Sequence, residues 1–201
     1  MADEQTLGDH FERIYETDAW GDGSGPGSSP EATIEYRAYL SRFLEENSVR
    51  TVTDLGCGDW RFSRFIDWSG VYYVGVDAAP SVVARNSARF ASSNIRFEAF
   101  RSYEALPGGD LLLAKEVLQH LPADEIAACL DAVRTKYRFA LLTNAVTPRL
   151  NANRDIGPGE FRPLRLQDAP FRARGATVFT YFVQIETFTW RNAVFLMLGE
   201  T

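Results

Sequence analysis

Hydrophobic positions along the chain follow two spacings in turn, one typical of helices and the other of short strands. Residues 9–19 form an amphipathic pattern that predicts a helix. A second helix is predicted to begin at Ser29 and Pro30, because serine caps helix N-termini and proline suits the first helical position. Its apolar face repeats at i, i+4, i+7 and i+8, at Tyr36, Leu40, Phe43 and Leu44.

The rest of the chain predicts more helices and a series of short strands. Helices are expected at 59–66, 80–91 and 124–133. Strands are expected at 51–55, 72–76, 95–97, 111–114, 139–143, 177–182 and 193–198. Strands that alternate with helices are typical of a layered α/β fold with a parallel sheet. The last two strands have no helix-length connection between them, which predicts an antiparallel hairpin at the sheet edge.

Two segments interrupt this alternation. In the loop over 21–29, glycine occupies every second position from Gly21 to Gly27. The stretch 145–175 shows no clear period and is broken by four prolines, Pro148, Pro158, Pro163 and Pro170. A segment of about 30 residues is long for a passive connection, so we expect a functional lid or insertion there.

Length and composition favour a single domain over residues 1–201. The chain has 201 residues, of which 45% are hydrophobic, enough to build a core. No apolar run approaches the length of a membrane span, and the start Met-Ala-Asp-Glu shows no basic and apolar leader. Cys57 and Cys129 make no disulfide framework. The expectation is a soluble cytoplasmic protein.

The charge is acidic overall and unevenly spread. With 21 basic and 27 acidic residues the formal net charge is −6, which disfavours general binding to nucleic acid or to an anionic membrane. The stretch 145–175 is the exception, since its six arginines outnumber its three acids. Those arginines are Arg149, Arg154, Arg162, Arg165, Arg172 and Arg174. They indicate either a solvated loop with ion pairs or a site for an anionic group.

The most informative motif is Asp54-Leu55-Gly56-Cys57-Gly58-Asp59-Trp60, at the junction of a predicted strand and helix. Glycines there let a ligand approach the backbone, and a helix N-terminus offers free N–H groups. The next strand is followed by Asp77, which stands 77 − 58 = 19 residues after Gly58. At that spacing a carboxylate can reach ribose hydroxyls, so the motif predicts a nucleotide-like ligand.

The details of the motif narrow the classes of ligand that it could bind. A dinucleotide fingerprint needs a third glycine where this chain has Arg61, which would crowd a pyrophosphate. The Gly-Lys-Ser/Thr ending of a P-loop is absent from the sequence. Asp54, two residues before Gly56, would repel a diphosphate and suits a cationic amino-acid portion instead.

With these residues the sequence resembles the class I S-adenosylmethionine (SAM)-dependent methyltransferases. Residues 54–59 look like motif I of that family, Asp77 matches its ribose-binding acid, and residues 110–122 are similar to its fourth strand and following segment. The resemblance covers about residues 30–143. It implies SAM as cofactor and a doubly wound, mostly parallel seven-stranded sheet with helices on both faces and an antiparallel last strand.

The resemblance also implies positions for cofactor contacts. Gly56 and Gly58 would allow close approach, Asp77 would bind the ribose, and Asp54 would lie near the methionine amino group. Trp60 replaces the third glycine of motif I and would stand beside the methionine end, and Phe100 would line the adenine in place of an acid. The remaining cofactor positions are Cys57, Ala78 and Lys115, together with Trp20 and Arg37 from a covering segment over 1–48.

Catalytic and substrate residues are expected nearby. His120 has the pKa range of a general base for a hydroxyl, although a hydrogen-bonded histidine packed beneath the sheet is the equal alternative. Lys115 and Glu116 follow the fourth strand beside the sulfonium by analogy, with the Lys115 charge expected in solvent. The expected substrate wall consists of Asn144, Asn151, Asn153, Asp155 and Arg162. Without a tight cluster of acids, no metal is expected.

The sequence therefore predicts a methyltransferase that acts on a hydroxyl of a small molecule, a sugar or secondary metabolite. An anionic group on that molecule would meet the arginines of 149–174, and the segment 145–175 would be the substrate lid. We expect neither nucleic acid nor membrane as partner, and a monomer or homodimer. An NAD-dependent oxidoreductase and a non-catalytic SAM-binding module are the two alternatives.

Overall fold

A computed structural model describes residues 6–21, 23–147, 153–185 and 188–200 as a layered α/β fold. The helices are α1 (Leu7–Glu16), α2 (Ile34–Glu46), α3 (Pro80–Phe90) and α4 (Ala123–Lys136). The strands are β1 (Thr51–Leu55), β2 (Tyr72–Asp77), β3 (Ile95–Ala99), β4 (Gly109–Lys115), β5 (Tyr137–Val146), β6 (Ala176–Ile185) and β7 (Phe188–Leu198). Each predicted strand is confirmed, with most of them longer than predicted. None of the helices in these ranges is long and apolar enough to cross a membrane.

The seven strands form one sheet in the order β3-β2-β1-β4-β5-β7-β6. Strands β1 to β5 run parallel, and β7 lies antiparallel between β5 and β6. This confirms the predicted mostly parallel sheet with its antiparallel last strand and hairpin. The chain leaves β1 for β2 on one side and later reaches β4 on the other. Ligands bind at such a reversal, outside the carboxyl ends of the strands.

Two apolar clusters cover the two faces of the sheet. Successive residues of β4 alternate between them: Leu111 and Leu113 belong to one cluster, while Leu112 and Ala114 belong to the other. This is the two-residue period of a strand that is buried on both sides. Helices α1 and α4 pack on the Leu112 face and α2 packs on the Leu111 face, which confirms helices on both faces.

The helix predicted over 59–66 is wrong. Only a 3₁₀ turn, Ser63–Phe65, forms there, and Trp60 has a φ of 56°, a left-handed conformation that a helix does not accommodate. Three apolar residues of this segment, Trp60, Phe62 and Ile66, are instead core residues of an irregular loop. The Trp60 ring lies 4.9 Å from the ring of Phe90 and 5.4 Å from that of Phe97. Aromatic packing therefore holds this loop in place of helical hydrogen bonds.

Helix α2 begins at Ile34, later than its predicted start at Ser29 and Pro30. The Ser29 hydroxyl accepts a hydrogen bond from the Ala32 backbone N–H, and the Thr33 hydroxyl donates to the Ser29 carbonyl at 2.7 Å. These local bonds stabilise a turn that precedes the helix. Serine and threonine side chains often give the backbone such an alternative to helix.

Of the 145–175 insertion, residues 145–147 and 153–175 are described: Ala145 and Val146 end β5, and residues 153–175 contain no helix or strand. This second part is held by side chains that bind backbone groups. The Asn153 amide donates to the carbonyls of Arg165 and Ala169, and its oxygen accepts from the Arg165 N–H. The role of the insertion as a substrate lid stays a prediction.

Candidate functional site

A cavity of about 260 Å³ lies at the carboxyl ends of β1, β2 and β4. Its floor is the loop after β1, and its roof comes from α1 and the glycine-rich loop. It brings together most of the predicted cofactor and catalytic residues. Those that line it are Trp20, Asp54, Gly56, Cys57, Gly58, Asp77, Ala78, Phe100, Lys115, Glu116 and His120.

Glycine is required at two positions of the floor. Gly56 and Gly58 have φ values of 68° and 56°. A Cβ atom on Gly56 would lie 2.5 Å from a methyl carbon of Val117, and one on Gly58 would lie 2.3 Å from the Ser24 hydroxyl. Both the backbone conformation and the space exclude larger residues. The main chain itself therefore forms the cavity wall here, with the Cys57 N–H bonded to the Val76 carbonyl.

The Asp77 carboxylate joins the ends of β1 and β2. One oxygen accepts from the Gly58 N–H at 2.9 Å, and the other accepts from the Ala79 N–H at 3.0 Å. Burial raises the pKa of Asp77, an effect that these backbone bonds oppose. A carboxylate has about four acceptor positions. Two are used here, so Asp77 keeps acceptor capacity for a ligand.

Two further acids, Asp54 and Asp59, differ in the hydrogen bonds that the protein donates to their carboxylate oxygens. Asp54 is buried, accepts hydrogen bonds from Tyr73 (2.5 Å) and Ser63 (3.3 Å), and has its pKa raised to about 6 by burial. Asp59 also lines the cavity, and its Oδ1 atom is buried without a hydrogen-bond partner among the described residues. The sequence analysis missed Asp59, although its place directly after Gly58 was a usable signal.

The roof is anchored by Ser24 and Tyr15, which were not predicted from the sequence, and by Lys115, which was predicted in another role. The Ser24 hydroxyl accepts from the Asp59 N–H at 2.8 Å and lies 3.1 Å from the Tyr15 hydroxyl. The Lys115 ammonium donates to the Gly27 carbonyl at 3.0 Å. These bonds fasten the glycine-rich loop to the floor. Contacts between segments so far apart in sequence leave no local pattern that would predict them.

Lys115 and Glu116 form a buried ion pair on the cavity wall. The Lys115 side chain is 2% exposed and its ammonium contacts the Glu116 carboxylate, so the expectation of a charge in solvent is wrong. Burial raises the pKa of Glu116, but the Lys115 charge and hydrogen bonds from Lys115, Asn192 and Trp190 together outweigh it, and the net pKa is lowered. The Trp190 indole N–H donates to the same carboxylate at 3.2 Å. Glu116 is therefore ionised, with a left-handed φ of 57° of the kind that clusters at functional sites.

His120 lies on the cavity wall, beside Trp20, whose ring centroid is 5.0 Å from its own. Its Nδ1 is 2.9 Å from the Glu160 backbone carbonyl. A carbonyl only accepts, so Nδ1 carries the proton and Nε2 is the acceptor nitrogen. Burial lowers the pKa of His120, which keeps the ring neutral at pH 7. This is the protonation state that a general base needs.

Two predicted cofactor residues lie outside the cavity. Trp60 is in the core described above and does not line the cavity, so its placement beside the methionine end stays a prediction without support from the cavity lining. The Arg37 guanidinium donates to the Pro30 carbonyl at 3.0 Å and lies over the Phe65 ring. Both side chains are engaged in holding irregular segments, because each offers a large flat group that packs on aromatic rings.

The predicted substrate wall is not on this cavity either. Asn153 binds backbone groups of the insertion, Asp155 accepts from the first N–H of α4 at Ala123, and Arg162 donates to the Leu121 carbonyl. Asn144 lines a separate, smaller cavity beside β5 and β7. Polar side chains of an irregular segment are needed to satisfy its backbone, and this need explains the first three placements. Asn151 lies outside the described residues.

The charges on the cavity wall are mainly negative. Four carboxylates, those of Asp54, Asp59, Asp77 and Glu116, stand against the two cations Lys115 and Arg61. Of the arginines in the insertion, the five in the described ranges do not line this cavity, and Arg149 lies outside those ranges. Nor do three His, Cys, Asp or Glu side chains meet as a metal site in the part of the chain that is described. Such a wall suits a ligand with positive charge.

Comparison with known proteins identifies the fold. No family model and no curated protein matches the sequence. Among solved structures, the N-methyltransferase NodS from Bradyrhizobium japonicum WM9 in complex with S-adenosylhomocysteine (SAH) aligns at a TM-score of 0.67 and 16% identity, over 92% of this chain and 97% of that one.

Two more structures align over most of both chains. The 1,6-didemethyltoxoflavin-N1-methyltransferase of Burkholderia thailandensis gives a TM-score of 0.65 at 20% identity, over 94% of this chain and 85% of that chain. Magnesium protoporphyrin IX methyltransferase of Synechocystis PCC 6803 gives a TM-score of 0.62 at 16% identity, over 98% of this chain and 99% of that chain. The protein therefore has the fold of the class I SAM-dependent methyltransferases.

Proposed function

We propose that this protein is a SAM-dependent methyltransferase that acts on a hydroxyl group of a small molecule. The observation that carries the proposal is a single acidic cavity that holds both the Asp77–Gly58 pair and a neutral His120. The similar structures support the cofactor, because they contain bound SAM or SAH.

The residues present fit the parts of SAM. Asp77 has acceptor capacity for ribose hydroxyls, and the glycine backbone at 56–58 allows close approach. Phe100, whose ring packs 5.0 Å from that of Tyr103, and Ala78 offer an apolar face for adenine. The Asp59 oxygen that has no partner among the described residues suits an ammonium group. When bound, SAM supplies a methyl group already activated on a sulfonium.

The protein's own contribution is then positioning and proton transfer. Nε2 of His120 can accept the proton of an acceptor hydroxyl, which typically accounts for 10²–10⁴-fold in rate. The ionised Glu116, fixed by Lys115 and Trp190, can orient a second polar group of the acceptor. The roof loop excludes water from this chemistry, which strengthens each electrostatic contact.

The wall charges favour an acceptor without an anionic group. The cavity is acidic, and the described arginines of the insertion lie elsewhere, so an anion would meet repulsion there. A neutral sugar or secondary metabolite is the class we propose. The Phe161 ring lies 5.8 Å from that of His120, which supports a role for the 145–175 insertion at the acceptor end.

The proposal is tested with SAM that is radiolabelled in its methyl group and a pool of neutral sugars and phenols. We expect label in O-methyl products, and a loss of about 10²–10⁴-fold in rate in His120→Gln with SAH affinity unchanged. Label on nitrogen would contradict the choice of a hydroxyl. SAH binding without transfer to any pool member would favour a non-catalytic module, and NAD binding without SAH binding would favour an oxidoreductase.

A further inference from the structure

We infer that residues 153–166, here called the strap, are a positioning element that holds His120, with Arg162 as its anchor. The turn that carries His120, Leu118–His120, is only one 3₁₀ turn long. So short a turn has few hydrogen bonds of its own and needs support from outside. The role of His120 as a general base rests on the proposed function. The claim that the strap holds the His120 turn does not.

The strap binds Gln119 and His120 through its main chain. The Gly159 N–H donates to the His120 carbonyl at 2.8 Å, and the Arg162 N–H donates to the Gln119 carbonyl at 3.1 Å. At the start of the strap, the Asp155 side chain accepts from the Ala123 N–H of α4 at 2.8 Å. The turn and the beginning of α4 are thus held at three points, which fixes the direction in which the His120 ring leaves the backbone.

Arg162 supplies the strap's side-chain contact with the same turn. Its guanidinium donates to the Leu121 carbonyl at 2.7 Å, and the residue is 1% exposed. Its Nε and Nη2 atoms have no hydrogen-bond partner among the described residues. Burying an arginine with part of its donor capacity unused costs free energy. Arg165, in the same strap, instead lies at the surface in an ion pair with Asp168.

The strap also sets the tautomer of His120. The Glu160 carbonyl accepts a hydrogen bond from the Nδ1–H group, so the proton stays on Nδ1 and Nε2 keeps its lone pair. On the other side of the ring, Gln119 lies 3.3 Å from Nε2, a long contact that an acceptor hydroxyl can displace. The Gln119 amide is itself oriented, because its oxygen accepts from the Ala145 N–H at 2.7 Å. The Gln119 amide N–H and the Glu160 carbonyl both favour the Nδ1–H form, and the Glu160 contact, at 2.9 Å, is the shorter of the two.

The test reads the tautomer directly, by long-range ¹H–¹⁵N NMR of the full chain labelled with ¹⁵N-histidine. The sequence has two histidines, so His10→Gln assigns both sets of signals. We expect His120 of the wild type to show a single Nδ1–H tautomer. In Arg162→Met we expect averaged signals from both tautomers, and in the matched control Arg165→Met no change.

Further variants and a second measurement keep the result decisive. Arg162→Lys keeps the charge and should restore most of the Nδ1–H form. If Arg162→Met does not fold, Asp155→Ala releases the start of the strap at an exposed side chain and should give partial averaging. A wild-type Nε2–H form, or a folded Arg162→Met with an unchanged spectrum, overturns the inference. SAH binding is measured on the same samples, so failure of the proposed function is seen separately.

Discussion

Asp54 and Asp77 show how much chemistry at the residue scale follows from local sequence. The strand, the glycines and the acid nineteen residues beyond Gly58 were sufficient to place the floor of the cavity. The polar residues of the insertion were not sufficient to predict a substrate site. An asparagine or arginine looks the same in sequence whether it binds a ligand or a backbone carbonyl. Asn153 and Arg162 turned out to bind carbonyls.

Asp54→Asn should remove a pH-dependent cost of folding. Burial raises the pKa of Asp54 to about 6, above its unfolded value of 3.8. The folded state then binds more protons between these values, so the free energy of unfolding falls as pH rises from about 4 to 6. We expect the variant to lack this fall, so that its free energy of unfolding relative to wild type rises by on the order of 1–3 kcal/mol between pH 4 and pH 7.

Urea unfolding at several pH values measures this difference. Asp67→Asn is the control, since Asp67 is exposed and hydrogen bonds with Ser69 lower its pKa. It should leave the slope between pH 4 and 6 unchanged. A wild-type and an Asp54→Asn curve that run parallel over this range would show that Asp54 is not the titrating group.

Trp60→Ala separates a core residue from a cofactor residue. The ring is 5% exposed and packs on three aromatic neighbours, so its loss should cost about 3–5 kcal/mol of unfolding free energy. SAH affinity of the folded variant should stay within about threefold of wild type. Phe65→Ala, at a ring that is 51% exposed, is the control and should cost far less. A large loss of SAH affinity in Trp60→Ala would show that Trp60 contributes to the cofactor site.

At the element scale, strands were predicted more reliably than the segments between them. The strands are short apolar runs whose partners bury both faces, and such runs are visible in sequence. The helix over 59–66 failed because aromatic packing of Trp60, Phe62 and Trp68 holds an irregular loop there. The late start of α2 depended on the bond between Thr33 and Ser29, which competes with the helix and cannot be weighed from the sequence alone.

Ser24→Ala tests the fastening of the roof loop. Its hydroxyl bonds the Asp59 N–H and the Tyr15 hydroxyl, so removal should weaken SAH binding by about tenfold. Ser29→Ala is the matched control, because that hydroxyl bonds Ala32 and lies outside the cavity. Calorimetric titration of both variants measures the effect. Equal SAH affinity in the two variants would mean that the roof loop does not contribute to the cofactor site.

At the scale of the whole molecule, the strand order was implied only through family resemblance. The sequence shows seven strands, but the position of β7 between β5 and β6 depends on contacts far apart in the chain. The same holds for the cavity, whose roof comes from residues 7–28 and whose floor follows β1. A cavity built from separate segments should couple ligand binding to global stability.

Saturating SAH should therefore raise the melting temperature of the whole chain. At 100 times the Kd, a ligand that binds only the folded state adds about 2.7 kcal/mol. For a chain of this size, that corresponds to a rise of about 5–10 °C. Differential scanning calorimetry with SAH and with NAD measures the rise, and NAD should leave the melting temperature unchanged. A rise with NAD alone would contradict the account.

The most direct test is isothermal titration of SAH into the wild type and Asp77→Asn. The substitution keeps the shape of the side chain and removes the charge that would accept ribose hydroxyls, while an amide oxygen can still accept from the Gly58 N–H. We expect saturable binding of one SAH per chain, weakened by about 10–100-fold in the variant. Absence of SAH binding to the folded wild type, or equal binding by both proteins, would show that Asp77 and this cavity do not form a cofactor site.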